Sequence, residues 1–131
     1  EYFIIENPKS GKMREYINDL IPYYDIDYCK YSNWGYKKST RFWTNIEGLV
    51  FNKCNNDCEN MIKCDKQTLH KNNMACSKNV LDDGKVIRVN TAALRKKYKD
   101  YESIKSYTKT TTRYERYRIP KKVIEKFFNV I

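Results

Sequence analysis

The chain reads as an α/β protein. Three observations carry that expectation: a short apolar run at Tyr2-Phe3-Ile4-Ile5, apolar residues at helical spacing at Met13, Tyr16, Ile17 and Leu20, and alternation at Tyr24, Ile26 and Tyr28. Strand, helix and strand in that order form one edge of an α/β sheet.

The first run is a buried-strand pattern, and Glu6-Asn7-Pro8 ends it. Proline has no amide to give to a ladder and restricts the residue before it. Ser10 can cap the following helix, and Pro22 stops it. Tyr24, Ile26 and Tyr28 alternate with Asp25, Asp27 and Cys29 as in a half-buried strand. Asn33-Trp34-Gly35 reads as a turn and Arg41–Ile46 as a third strand. Later, Ile119-Pro120 precedes Val123, Ile124, Phe127 and Phe128, a helix with proline in its first turn and one apolar face that has to pack on something. Residues 1–46 are therefore expected to be core strands and helix, 47–112 a Cys/His-rich and basic insertion, and 113–131 a C-terminal segment and helix returning to the core. The chain opens on Glu1, at the edge of a core strand, which points to a piece of a longer protein.

The 131 residues carry a net charge of +10. Between Arg95 and Ile131 there are twelve Lys/Arg against four Asp/Glu, so +8 of that charge falls in the last 37 residues. Such asymmetry favours a polyanionic partner, because basic side chains that neutralise phosphates release condensed counterions. Tyr98, Tyr101, Tyr107, Tyr114 and Tyr117 interleave with these cations and supply rings that can stack on bases. Lys96, Lys97, Arg113 and Arg116 are the candidate phosphate contacts of this tract. A solvated Lys-rich surface is the alternative. No run approaches the roughly 20 apolar residues of a membrane span, and no signal peptide is visible. The expectation is a soluble intracellular protein with a nucleic acid and no membrane as its partner.

Cys54, Cys58, Cys64, His70 and Cys76 place five soft or borderline ligands within 23 residues. Zinc takes four, as three thiolates with an imidazole or as four thiolates. The spacing matches no standard finger. The surrounding sequence is rich in Asn and Lys and offers only Met61, Ile62, Leu69 and Met74 for a core, so it needs a staple. Zinc is the leading expectation, with free thiols and disulfides as rivals; an intracellular setting disfavours the last. Cys29 stands apart and reads as a buried core thiol.

Glu6 ends a core strand just before a tight turn, where α/β folds place ligands. Glu6-Asn7-Pro8, a helix, Tyr28-Cys29-Lys30-Tyr31, a Gly turn, and then Lys38-Ser39-Thr40-Arg41-Phe42-Trp43-Thr44-Asn45 resemble the DNA (cytosine-5) methyltransferases, in particular divergent viral and phage members. Arg118-Ile119-Pro120 before an apolar helix resembles their C-terminal segment. The resemblance covers about 65 residues at the two ends. It implies the C-terminal part of a Rossmann-like, S-adenosylmethionine-dependent methyltransferase sheet, with the Cys/His insertion where the family carries its DNA-recognition region. It also implies that Glu6 meets a flipped cytosine at N3 and the exocyclic amine, that Asn7 holds the loop, and that Lys37, Lys38 and Arg41 stand in the region that grips the target nucleotide's backbone. The family's Gln-x-Arg-x-Arg is absent here. The Pro-Cys nucleophile and the Gly-rich cofactor loop are absent too, and Cys29 follows the Glu motif, which is the wrong order for a nucleophile. This stretch alone is expected to be inactive. The rival from another class is a non-catalytic, zinc-dependent nucleic-acid-binding module.

Overall fold

The computed structural model describes residues 1–64, 67–73, 77–80, 86–89, 105–106, 109–110 and 112–131, with side chains for 1–61, 68–72 and 112–131. Strands β1 (Ile4–Pro8), β2 (Tyr23–Asp27) and β3 (Ser39–Thr44) form a sheet in the order β1-β3-β2. Strands β2 and β3 lie within two residues of where the sequence pattern puts them. Strand β1 is shifted: it runs on through Glu6-Asn7-Pro8, where proline was expected to end it, because an edge strand tolerates proline, and Tyr2, Phe3 and Ile4 are exposed rather than buried. Strand β3 runs antiparallel to both neighbours, so β1 and β2 point the same way with β3 between them. Glu6 therefore sits on an antiparallel edge strand rather than at the end of a parallel strand, as a Rossmann-like sheet would place it. The chain is mixed α/β with a small antiparallel sheet, which does not by itself make the Rossmann-like sheet that the resemblance implies.

Register sorts the two faces, since directly paired residues share a side. Glu6 pairs with Phe42 and Phe42 with Tyr24, so Glu6 lies on the core face. Asn7 pairs with Arg41 and Arg41 with Asp25, on the opposite face. The core gathers Ile26, Tyr28, Tyr31, Phe42, Ile46 and Leu49 against Val123 and Phe127 of the C-terminal helix. The Phe42 and Phe127 rings meet at 5.2 Å, and Phe51 stacks on Phe42 at 6.5 Å. Helix α1 (Arg113–Arg116) opens on a capping box in which Thr112 and Glu115 satisfy each other's backbone amides. Helix α2 (Lys121–Val130) starts directly after Pro120 and buries the i, i+4 pair Val123 and Phe127. Its other two expected contacts, Ile124 and Phe128, face outward, Phe128 being 70% exposed. A ten-residue helix lying on a three-stranded sheet has one stripe in contact, and the neighbouring stripe is left outside.

The helix expected over Met13–Leu20 is reduced to a 3-10 turn at Lys12–Glu15, with Gly11 rather than Ser10 at its N-cap. Tyr16 is 80% and Leu20 87% exposed. A short helix needs tertiary packing on its apolar face, and no described element covers this one. Asn18 also competes for the backbone, its side-chain oxygen accepting from the Leu20 amide at 2.9 Å.

Beyond the core, β4 (Met61–Cys64) and β5 (Gln67–His70) form an antiparallel hairpin. Strand β6 (Asn72–Asn73) pairs with β10 (Lys109–Thr110), and β7 (Ser77–Val80) lies between β8 (Val86–Val89) and β9 (Lys105–Ser106). No helix among the described residues is long and apolar enough to cross a membrane.

Candidate active site and candidate metal centre

The end of β1 is made rigid by its turn. The Gly11 amide donates to the Pro8 carbonyl at 2.7 Å, and the Lys9 amide to the Ser39 carbonyl at 3.0 Å. A Cβ on Gly11 would stand 2.0 Å from Asn7 Oδ1. Position 11 therefore admits only glycine while Asn7 keeps its place.

One residue upstream, Glu6 Oε1 accepts from Lys38 Nζ at 3.1 Å and from the Tyr28 hydroxyl at 3.3 Å. The Lys38 side chain is 5% exposed and that of Glu6 26%, so the cation is inside and the carboxylate remains reachable. Lys38 Nζ also sits 4.9 Å from the Tyr28 ring centre. A buried ammonium needs such partners, because desolvation penalises an unpaired charge. Burial pushes the Tyr28 phenol well above its ordinary value and the Glu6 charge adds to that, so Tyr28 stays protonated and acts as a donor. A cleft of about 380 Å³ lined by Pro8, Ser10, Arg14, Lys38 and Ser39 opens beside the pair.

The other basic candidates divide. Arg41 is bound bidentately to Asp25 at 2.7 and 2.9 Å and lies 3.8 Å over the Tyr23 ring, on the face away from Glu6. Lys37 donates to the Cys54 carbonyl at 3.0 Å and pairs with Asp27 at 3.6 Å. Arg113 is exposed and donates to the Tyr117 hydroxyl at 3.3 Å; Arg116 is half-buried. Tyr114 and Tyr117 are exposed. Lys96 and Lys97 lie outside the described residues.

The second constellation is drawn from three segments. Cys29 follows β2 in a 3-10 turn, Cys54 and Cys58 bracket a loop, and His70 ends β5. Their ligand atoms all lie within 4.8 Å of one another, with Cys54 Sγ and His70 Nε2 at 3.6 Å. This revises two expectations. Cys29 is buried as predicted, but beside the other thiols rather than as an isolated core residue. The quartet uses Cys54, Cys58 and His70 from the predicted set, while Cys64 is described only in its backbone and Cys76 lies outside the described residues.

Buried polar residues fix this arrangement, and the sequence reading passed over them. Asp27 accepts from the Cys54 amide at 2.7 Å and from the Ser39 hydroxyl. Asn60 donates to the carbonyls of Cys29 and Ser32, each at 2.8 Å. A cleft of about 950 Å³ borders the quartet, with Cys29 and Cys58 on one wall and Lys30, Lys71, Lys121 and Lys122 around it.

A stretch of 61 residues, 45% of this chain, is 54% identical to a probable DNA (cytosine-5)-methyltransferase of Frog virus 3 (isolate Goorha). The chain is similar to a viral DNA (cytosine-5)-methyltransferase. The resemblance read from the Glu6 and Lys38–Asn45 motifs is borne out by that match. The match takes in 28% of the viral methyltransferase, so this chain spans less than a third of its curated relative. No family profile and no solved structure matches the chain.

Proposed function

We propose that this chain is part of a DNA (cytosine-5)-methyltransferase and that Glu6 is its contact to the flipped target cytosine. The observation that carries the reading is the Glu6–Lys38–Tyr28 triad at a reachable strand end, on a chain similar over 61 residues to the viral enzyme.

The base has to leave the stack to be reached. Attack of a thiolate at cytosine C6, supplied by another part of the parent protein, pushes electron density toward N3. An acid there stabilises it. Glu6 shares a proton with N3 and accepts from the exocyclic amine. Glu6 is otherwise the carboxylate that Lys38 pairs with, so that proton is taken from solvent as the base enters; once it has moved to N3, Lys38 and Tyr28 again donate to the same carboxylate oxygen. S-adenosylmethionine, bound elsewhere in the parent, supplies the methyl group. Asn7 and Gly11 hold the turn that aims Glu6. Lys37 and Lys38 occupy the segment expected to grip the nucleotide backbone; Arg41, committed to Asp25, supports that strand from behind. The outer edge of β1 has no partner strand among the described residues, and Tyr2, Phe3 and Ile4 beside it are exposed. In this reading the rest of the methyltransferase sheet adds there. The protein then acts on DNA inside a cell, in host cytoplasm or nucleus.

The test is Glu6→Gln in the complete parent protein. Methyl transfer is expected to fall by at least about 100-fold, the usual scale for losing a positioned acid, with duplex binding changed less than about threefold. Transfer within a few-fold of wild type would remove Glu6 from the mechanism.

A further inference from the structure

Cys29, Cys54, Cys58 and His70 come from places up to 41 positions apart in sequence, yet converge on one point. In a tetrahedral zinc site with bonds of about 2.3 Å to sulfur and about 2.0 Å to nitrogen, ligand atoms stand roughly 3.5–3.8 Å apart. The Cys54–His70 separation of 3.6 Å already has that value, and all four ligand atoms fall within 4.8 Å. Three thiols and an imidazole form a soft set suited to zinc and unsuited to magnesium or calcium, which take oxygen.

The loop between Cys54 and Cys58 turns sharply enough to bring both thiols to one point. Asn56 takes φ +58 in it, one of the few residues that enters the left-handed region readily. Lys30, paired with Asp57 at 2.8 Å, and Lys37, on the Cys54 carbonyl, bring positive charge to the edge of a site whose three thiolates exceed the charge of the ion. Asp27 and Asn60 fix the backbone of two ligands, as outer partners of metal sites do.

We propose that Cys29, Cys54, Cys58 and His70 bind one structural zinc ion that joins the end of β2 to the loop at 54–58 and the β4–β5 hairpin. Four protein ligands leave no open position, so the ion organises the fold and performs no chemistry. The four ligands leave no place for Cys64, which lies at the far end of β4, three strand residues or about 10 Å from Met61, the residue opposite His70. The site stands independently of Glu6 and of methyl transfer.

The experiment uses the 131-residue chain purified without chelator. Elemental analysis is expected to find about one zinc per chain, and dialysis against a chelator to loosen residues 54–73 in amide exchange more than the β1-β3-β2 sheet. Replacement by cobalt is expected to give the intense visible bands of a tetrahedral site with three thiolates. Cys29→Ser and His70→Ala are expected to hold less than about a tenth of a zinc per chain, while Cys64→Ser and Cys76→Ser keep the full complement. His70→Cys guards against simple misfolding: it should retain metal and shift the cobalt spectrum toward four thiolates. Metal-free protein with all thiols freely titratable overturns the proposal. So does zinc that survives Cys29→Ser but leaves with Cys64→Ser or Cys76→Ser.

Discussion

The sheet with α2 and the loops at residues 54–73 are held by different forces. In the first, Phe42, Phe51, Phe127, Tyr28 and Ile26 make a contiguous aromatic and aliphatic core. In the second, Leu69 is the one large aliphatic side chain seen buried among the described residues. Position there comes from Asp27, Asn60, Asn72 and the thiol–imidazole quartet. Non-directional burial tolerates adjustment, whereas a buried polar contact is costly once one partner is removed. The first region should therefore lose stability gradually with volume, and the second should lose its geometry with single atoms.

The largest effect expected is Phe42→Ala, at about 3–5 kcal/mol. It should appear as a lower denaturation midpoint shared by probes in both regions, since β3 carries Lys38's neighbours and the seat of α2. A loss confined to α2 would show that the sheet stands without it. Asn60→Ala comes next, at about 2 kcal/mol, because two carbonyls lose their donor. Amide exchange should report that loss at residues 54–73 and little in β1 or β3; an equal change in both would erase the distinction. Third is the acid response of the back face. The hydrogen bond from Arg41 holds the Asp25 carboxyl below its ordinary value of 3.8, against the opposing effect of burial. A lowered folded value means the pair stabilises at neutral pH, and that contribution is lost as pH falls below 3.8 through the folded value. Asp25→Asn should cost about 1–2 kcal/mol at pH 7 and flatten stability against pH in that acidic window; an unchanged acid profile would assign the pair no role. The smallest effect on stability, within about 0.5 kcal/mol, is expected for the joint change of Lys96, Lys97, Arg113 and Arg116 to Glu. Its readout is duplex binding against salt, where each lost phosphate contact should flatten the log–log slope by about 0.9. An unchanged slope would turn attention to Lys37 and Lys38.

The two regions were also unequally legible. Local patterns place β2, β3 and the helix after Pro120, because strand alternation and helical spacing are short-range properties, but they start β1 too early and end it before Pro8. The same logic failed at Met13–Leu20, where spacing without a covering surface leaves only one 3-10 turn. Cys29 is buried as expected, but closeness in sequence does not reveal its neighbours: a thiol 25 positions before Cys54 comes beside that loop where Asp27 at the end of β2 accepts the Cys54 amide. No sequence signal gives the contact of Lys38 with Glu6, which needs the pairing of β1 with β3. Glu6-Asn7-Pro8 belongs to β1 rather than to the turn, which begins after Pro8, and Gly11 in that turn is the clue to how Asn7 is held.

The chain leaves the core and returns to it through two fixed moorings. On departure, the Asn52 amide donates to the Tyr31 hydroxyl at 2.6 Å and the Cys54 amide to Asp27. On return, the Tyr36 hydroxyl donates to the Glu115 carbonyl at 2.8 Å, and Arg118 lies 4.1 Å over the Trp34 ring. Between these moorings the described residues touch the core side at further fixed points, Asn60 on the Cys29 and Ser32 carbonyls and Asn72 on the Trp34 carbonyl. Doubling the length of such a tethered excursion costs roughly 0.6 kcal/mol in closure entropy. Under the methyltransferase function proposed above, length added between the moorings therefore costs little and leaves Glu6 and its turn unaltered.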